Sequence, residues 1–152
     1  MNVFMVYLLI IFLIIALDQY TKKIVCDNLE LEEKREIKNT NIMFWHKKNT
    51  GISYSSFSAY PKQITIITGV IATISFFIFM FLLPIKGIKI IKTGFAFMIG
   101  GSIGNLIDRF RNNCVTDFIY IKCKHTPIFN LADVFVVLGG TIMFISSICK
   151  KN

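Results

Sequence analysis

Residues 63–85 read QITIITGVIATISFFIFMFLLPI and contain no Asp, Glu, Lys or Arg. A helix needs about 20 consecutive, largely apolar residues to cross a bilayer, so this stretch qualifies on its own. Three more uncharged stretches occupy residues 1–17, 93–107 and 134–149. They reach the required length if the charged residues at their ends lie at the membrane interface, the lysines with their stems along the apolar surface. The sequence therefore predicts four transmembrane helices.

The composition agrees with an integral membrane protein. The chain has 152 residues, of which 54% are hydrophobic, and a mean hydropathy of +0.61, which is too apolar for a soluble domain of this size. We expect one membrane domain over residues 1–152, with helices at approximately 1–18, 63–84, 88–108 and 131–149. Because the first stretch lacks a basic leader and a small-residue cleavage site, we expect a retained helix and not a cleaved signal peptide.

The net charge of +8 is explained by basic residues that anchor helices at anionic lipid headgroups. The basic residues are scattered over several loops, so no nucleic-acid partner is expected. The four cysteines and two histidines show no ligand spacing, so we predict no metal and no cofactor. The sequence allows a disulfide between Cys114 and Cys123 but does not require one.

Residues 100–109, GGSIGNLIDR, close the third predicted helix. Gly100 and Gly104 are spaced so that another helix can approach closely. A packing seam explains these glycines, but it does not explain why an amide, an acid and a guanidinium follow them. We therefore favour a functional interpretation of the polar residues at this helix end: Asn105, Asp108 and Arg109.

Two carboxylates stand alone beside apolar spans and flank one short connection: Asp117 and Asp133. A carboxylate at the edge of a membrane helix is costly to desolvate and indicates a functional site. Two of them can share a proton and activate water, which is the chemistry of an aspartic protease. Asn130 also has the spacing of an N-cap with Asp133 in the first helical turn, and capping is compatible with catalysis. The sequence does not assign the shared proton to either aspartate.

Two further motifs are weaker. Asp18 and Lys22 lie four residues apart at the end of the first predicted helix, which is equally typical of a surface ion pair. Residues 49–51, NTG, are equally typical of a simple turn. Beside the other motifs, both are consistent with polar groups presented to a cleft at the membrane surface.

Taken in order, DQYTK at 18–22, NTG at 49–51, GGSIGNLIDR at 100–109, DF at 117–118 and FNLAD at 129–133 resemble the motifs of lipoprotein signal peptidase (signal peptidase II). The resemblance implies an all-α membrane protein with four transmembrane helices and a small extracytoplasmic β-cradle in the first loop. It also implies a metal-free aspartic endopeptidase. Such an enzyme removes signal peptides from diacylglyceryl-modified prolipoproteins by cutting before the lipid-modified cysteine.

The resemblance also implies roles for individual residues. The catalytic pair falls on Asp117 and Asp133. Site-lining positions match Asn49, Asn105, Arg109 and Asn130, and supporting positions match Asp18, Lys22, Gly51, Gly104, Asp108 and Ala132. The chain departs from the family pattern at Thr116, at residues 52–54 and at Val134, which puts substrate preference in doubt but not the chemistry. The implied partners are lipid-modified prolipoproteins and membrane lipids, and a monomer is expected.

The distribution of Lys and Arg residues and the family resemblance predict opposite orientations in the membrane. The turn at residues 84–92 and the C-terminus carry five of the 17 Lys and Arg residues, and the opposite side carries the other twelve. Read naively, the positive-inside rule places the long loops in the cytoplasm. The resemblance implies a bacterial cytoplasmic membrane protein with an extracytoplasmic active site, and we prefer that orientation.

Two other functions remain in view. One is a small four-helix transporter with a carboxylate proton relay, although the uncharged centres of the four stretches argue against it. The other is a catalytically silent assembly subunit, which leaves Asp117 and Asp133 unexplained. The sequence leaves open which lipoproteins are cut and whether residues 29–38 gate the cleft.

Overall fold

The computed structural model describes residues 3–51, 59–124 and 126–149. In these ranges the chain forms four helices and three short strands: α1 (Val3–Asn28), β1 (Lys34–Glu36), β2 (Ile42–Asn49), α2 (Pro61–Leu82), α3 (Lys89–Asn112), β3 (Val115–Ile121) and α4 (Leu131–Cys149). All four helices are long and apolar enough to cross a membrane. The predicted fold class, a helical multi-pass membrane protein with a small sheet, is confirmed.

The helix bounds differ from the prediction mainly in α1 and α3. α4 begins and ends as predicted, but α1 continues to Asn28 and not to Asp18, and α3 continues to Asn112. The charged residues that suggested helix ends are paired inside the helical bundle, so they do not interrupt the helices. The polar connection after α1 is correspondingly shorter than predicted.

Local sequence explains several helix ends. Pro61 occupies the first turn of α2, where the missing N–H costs nothing. Gly87 has a φ of +82° in the turn that leads to α3, a backbone conformation that favours glycine. α3 is capped by Asn113, whose φ of +56° is left-handed and whose N–H donates to the carbonyl oxygen of Arg109 at 2.9 Å.

Helix α3 lies at the centre and contacts the other three helices. One apolar cluster joins α1, α2 and α3 and consists of Tyr7, Ile11, Phe79, Ala96 and Ile99. Large apolar side chains also cover the outward helix faces, as expected for surfaces that contact lipid; examples are Phe12, Ile66, Phe77 and Val137. The bundle thus exposes apolar side chains and, as described below, buries charged ones.

The predicted close approach at the glycines of α3 is confirmed. A Cβ atom added at Gly100 would lie 2.9 Å from Ile14 of α1, and one added at Gly104 would lie 2.6 Å from Oδ2 of Asp18. A Cβ atom at Gly101 would overlap the backbone of Ala132 in α4. Small residues therefore allow α1 and α4 to pack directly on α3.

The strands form an antiparallel sheet in the order β1–β2–β3. β2 and β3 pair with Lys47 opposite Asp117, and a bulge lies between Phe44 and Lys47. The predicted cradle in the first loop is present, but its third strand comes from the connection between α3 and α4, which the sequence did not identify as a strand. This pairing brings Asp117 beside the first loop.

A second apolar cluster attaches the sheet to the end of α1. It consists of Val25 from α1, Leu29, which directly follows α1, and Phe118 from β3. Phe44 of β2 packs against this cluster. The sheet is therefore fixed to the end of the bundle that carries the polar residues.

Candidate active site

A buried ion network joins α1 to α3. The Lys22 ammonium lies 2.8 Å from Oδ2 of Asp18 and 3.0 Å from Oδ2 of Asp108. Its third hydrogen bond goes to Oδ1 of Asn105 at 3.0 Å. Asp18 is 0% exposed and Lys22 is 4% exposed, so the surface ion pair considered from the sequence is excluded.

The two aspartates of this network also hold neighbouring elements. Oδ1 of Asp18 accepts a hydrogen bond from the backbone N–H of Ala132 at 3.0 Å, in the first turn of α4. Oδ2 of Asp108 accepts one from the backbone N–H of Thr116 at 3.1 Å, in β3. The ion network therefore fixes both segments that carry the other pair of aspartates.

Gln19 completes the network, and its role was missed from the sequence. Its Nε2 donates to Oδ1 of Asp108 at 3.0 Å and to the carbonyl oxygen of Gly104 at 3.2 Å. The residue stands inside the DQYTK motif. Spacing along one helix, however, carries no signal for contacts that cross to another helix.

Asp117 is buried in β3 and accepts hydrogen bonds at both carboxyl oxygens. Nδ2 of Asn49 donates to Oδ2 at 2.9 Å, and Nδ2 of Asn130 donates to Oδ1 at 2.7 Å. Burial, together with the negative charge of Asp133, raises the pKa of Asp117 to about 7, although the two amide donors act in the opposite direction. This carboxyl group therefore retains a proton close to neutral pH.

Asp133 lies in the first turn of α4 and forms a reciprocal cap with Asn130. The backbone N–H of Asp133 donates to Oδ1 of Asn130 at 3.0 Å, and the backbone N–H of Asn130 donates to Oδ2 of Asp133 at 3.2 Å. The predicted N-cap is confirmed. The positive end of the helix dipole favours a charged carboxylate at this position.

Two side-chain amides connect the two carboxyl groups. Nδ2 of Asn130 donates to Asp117 and also to Oδ1 of Asn105, the latter at 3.0 Å. Nδ2 of Asn105 in turn donates to Oδ1 of Asp133 at 2.8 Å. Since Oδ1 of Asn105 accepts from Lys22 as well, the ion network orients the amide so that its N–H group faces Asp133.

The NTG segment is a turn and also contributes to the site. The backbone N–H of Gly51 donates to Oδ1 of Asn49 at 2.9 Å, which leaves the amide nitrogen of Asn49 directed at Asp117. Nη2 of Arg109 donates to the carbonyl oxygen of Gly51 at 3.0 Å. The departures noted at residues 52–54 lie outside the described residues.

Five of these polar residues line a cavity of about 510 Å³. The polar lining residues are Asn49, Asn105, Arg109, Asp117 and Asp133, and the apolar ones are Val115, Pro127, Ile128, Phe129, Val134, Val136, Val137 and Leu138. Val137 is 66% exposed on the outer surface of α4, so the cavity reaches a surface that contacts lipid. This apolar wall was not predicted, although Val134, Val137 and Leu138 have the spacing of one helix face.

The donor set gives no support for a metal site. In residues 3–51, 59–124 and 126–149, no group of three or more His, Cys, Asp or Glu side chains could hold a metal ion. A metal ion would bind to lone pairs on the carboxyl oxygens of Asp117 and Asp133. These oxygens already accept hydrogen bonds from N–H donors. Cys114 and Cys123 are free thiols. The absence of a metal requirement stays a prediction.

The chain matches one family along most of its length. A family model described as signal peptidase (SPase) II covers residues 10–149. The lipoprotein signal peptidase of Mesorhizobium japonicum is 36% identical over 142 residues, covering 90% of this chain and 82% of the relative. That of Clostridium tetani is 35% identical over 148 residues, covering 95% of this chain and 93% of the relative.

Solved structures support the same fold. Two structures of bacterial membrane enzymes superpose on the chain with TM-scores of 0.84 and 0.80. Both are 23% identical in sequence and cover 97% and 96% of this chain, and 90% and 96% of their own chains. At this identity the likeness concerns the fold alone.

Proposed function

This chain belongs to the signal peptidase II family of membrane proteases, and we propose that it is an aspartic endopeptidase with Asp117 and Asp133 as its catalytic pair. The proposed reaction removes signal peptides from diacylglyceryl-modified prolipoproteins and cuts before the lipid-modified cysteine. One observation carries the proposal. Two carboxyl groups from different elements line one cavity and are connected through the amides of Asn130 and Asn105.

The pair is asymmetric, as water activation requires. Asp117 is the proposed holder of the proton because burial raises its pKa to about 7. Asp133 is the proposed base because it lies at the start of α4, where the helix dipole and the N–H groups of Asn105 and Asn130 stabilise its negative charge. One ionised and one protonated carboxyl group are the two states that general base and general acid catalysis need.

In the proposed reaction, a water molecule between the carboxyl groups attacks the carbonyl carbon of the scissile peptide bond. Asp133 accepts a proton from this water while Asp117 donates its proton to the carbonyl oxygen. When the tetrahedral intermediate collapses, the carbon–nitrogen bond breaks, Asp133 gives its proton to the leaving amine, and Asp117 regains a proton from the hydroxyl group. The dyad thus returns to its starting state.

Other polar residues have proposed positioning roles. Arg109 lines the cavity with one nitrogen bound to Gly51, and its planar guanidinium is proposed to donate to a substrate carbonyl. Asn49 holds Asp117 in place. The remaining members, Asp18, Lys22, Gly104, Asp108 and Ala132, support the site through the ion network and the close packing of α1, α3 and α4.

The cavity suits a substrate with a large apolar part. Its wall on α4 is apolar and reaches the lipid-facing surface through Val137 and Leu138. A diacylglyceryl group and the apolar segment of a signal peptide can enter such a cavity from the bilayer without crossing water. Prolipoproteins and membrane lipids are therefore the proposed partners, and the working form is a proposed monomer.

The proposed location is the bacterial cytoplasmic membrane, with the active site on the extracytoplasmic side. The count of basic residues opposes this orientation, but the positive-inside rule applies best to short loops, and five of the twelve residues lie in the long connection after α1. In a cysteine-free background, Lys38→Cys should react with a membrane-impermeant maleimide in intact cells, whereas Lys86→Cys should not. The reverse labelling pattern would place the site in the cytoplasm.

The function is tested with purified protein and a lipidated prolipoprotein. We expect release of a signal peptide that ends at the residue before the lipidated cysteine, as identified by mass spectrometry, and much slower cleavage of the unlipidated precursor. EDTA should not reduce the rate. Loss of activity in EDTA with recovery in Zn²⁺ would refute the metal-free mechanism. If the lipidated precursor stayed intact while the protein conducted protons in liposomes, the transporter alternative would replace the protease.

A further inference from the structure

A second cavity, of about 340 Å³, lies beside Asp117 on the sheet. Its lining residues are Trp45, Lys47, Asn49, Asp117, Tyr120, Thr126, Pro127 and Ile128. Four of these also line the larger cavity: Asn49, Asp117, Pro127 and Ile128. The two cavities therefore meet at the proposed catalytic aspartate, one with an apolar wall on α4 and the other on the sheet.

Two aromatic rings line the second cavity, and two ammonium groups lie close to one of them. The rings of Trp45 and Tyr120 are edge to face with centroids 5.6 Å apart. Lys34 Nζ lies 3.9 Å and Lys47 Nζ 5.2 Å from the Trp45 ring centroid. Nε1 of Trp45 donates to Glu32 at 3.0 Å, which fixes the indole. Within the part of the chain that the structure describes, neither of these lysines forms an ion pair. We call Lys34, Trp45, Lys47 and Tyr120 the basic cradle surface.

The register of the sheet sets the distance between this surface and the reaction. Lys47 is directly opposite Asp117 in the antiparallel pair of β2 and β3. Side chains at such positions have Cβ atoms about 4.5–5.5 Å apart. An extended peptide advances about 3.3 Å per residue, so a group that binds Lys47 lies only a few residues from the bond that Asp117 would act on.

We propose that the basic cradle surface binds the first residues of the mature lipoprotein, those that follow the lipidated cysteine, and that it favours acidic side chains there. The inference rests on the proposed function. The apolar cavity faces lipid and accounts for the signal peptide and the acyl chains. The cavity on the other side of Asp117 is then left for the chain that leaves the membrane. Lys34 and Lys47, which form no ion pair within the described residues, lie close to the Trp45 ring, and their ammonium groups match carboxylates on an extended peptide.

An anionic lipid headgroup is the competing occupant, since Trp, Tyr and Lys also anchor proteins at the membrane interface. The peptide is favoured because this cavity extends to Asn49 and Asp117, next to the reacting atoms. A site that only anchors a lipid headgroup would not need to extend to the catalytic residues. If the surface binds peptide, the cleavage rate should depend on the charge of the substrate. If it binds headgroups, the rate should depend on the charge of the membrane.

The test uses three lipidated prolipoproteins that differ only in the three residues directly after the lipidated cysteine. These residues are acidic in one substrate, neutral in the second and basic in the third. In neutral detergent, wild-type protein should have a kcat/KM about fivefold higher for the acidic than for the basic substrate, as expected for exposed charge pairs. The double variant Lys34→Glu/Lys47→Glu should reverse this ratio. Lys38→Glu, an exposed charge reversal in the turn between β1 and β2, should keep the wild-type ratio.

The ratio of the two rates is the readout, so a general loss of activity in the double variant does not imitate the result. An acidic-to-basic ratio that is the same in wild type and in the double variant would overturn the inference. So would a ratio near one in wild type together with a rate that depends on the fraction of anionic lipid, which would assign the surface to headgroups. If the neutral substrate were not cleaved by wild type, the proposed function itself would fail.

Discussion

Two pairs of aspartates lie close together in this molecule, and they have different kinds of partner. Asp18 and Asp108 share the ammonium of Lys22 at 2.8 and 3.0 Å. Asp117 and Asp133 receive hydrogen bonds from side-chain amides and a backbone N–H, and in the described ranges neither forms an ion pair. Arg109 acts on the second pair by its charge, but its hydrogen bond goes to Gly51.

The difference shows how one residue type can serve structure in one place and chemistry in another. A buried carboxylate with a cation beside it forms an ion pair, and the pair ties together the two helices that carry its members. A buried carboxyl group with only neutral donors and a second acid beside it retains a proton, so the pKa of Asp117 rises to about 7. The first pair suits a scaffold, and the second suits acid–base chemistry.

The strongest test of this contrast removes the acids of the second pair. Asp117→Asn and Asp133→Asn should each lower the cleavage rate by about 10³-fold or more, because an amide neither accepts nor donates the proton. Both variants should remain folded and inserted in the membrane. Asp27→Asn, at an exposed acid of α1, should keep the wild-type rate. If either dyad variant kept near wild-type turnover, the catalytic assignment would be wrong.

Breaking the first pair should mainly affect folding. Lys22→Met leaves Asp18 and Asp108 buried without a cation, which we expect to lower the free energy of unfolding by about 3–5 kcal/mol. Lys23→Met is the matched control, because Lys23 pairs with Asp27 on the exposed face of the same helix and should change the free energy of unfolding far less. Denaturation in detergent measures both, and equal effects would contradict the buried network.

Arg109→Lys tests the role of the guanidinium group near the second pair. Lysine keeps the charge but loses the planar fork, so cleavage should fall by about 10- to 100-fold with little change in thermal stability. Arg111→Lys, at an exposed position two residues further along α3, is the control. Unchanged turnover, or a loss that unfolding fully explains, would remove Arg109 from the site.

A smaller effect is expected in the pH dependence of kcat. Asp117 must hold a proton to donate it, so the rate should fall as pH rises through the raised pKa of about 7. Asn49 donates to Asp117 and lowers its pKa. Asn49→Ala should therefore move the alkaline fall in rate to higher pH. A shift to lower pH would contradict the assigned proton.

How much of this was readable from the sequence depended on how local each feature is. The cap between Asn130 and Asp133 was predicted because both residues lie in one helical turn. The glycine seam of α3 was predicted from its spacing. The four spans followed from apolar length, and the order of five motifs pointed to the family.

Contacts between distant segments were not readable. The spacing of Asp18 and Lys22 showed that they are neighbours but gave no indication that Asp108 and Gln19 enclose them, so their burial and the true end of α1 were missed. The pairing of β3 with the first loop was missed for the same reason. The apolar wall of the cavity depends on where α4 faces lipid, and a helix pattern without its neighbours does not specify that direction.

Asp117 in the second pair holds a proton near neutral pH, and its proposed role in acid–base chemistry depends on this proton. Infrared spectroscopy of the C=O stretch of protonated carboxyl groups, followed as a function of pH, measures this directly. We expect a protonated carboxyl band at about pH 6 that disappears as pH rises through about 7, well above the usual Asp range of about 4. The band should be absent from Asp117→Asn and present in Asp27→Asn. A band that persists in Asp117→Asn, or the absence of any band above about pH 5 in wild type, would contradict the account.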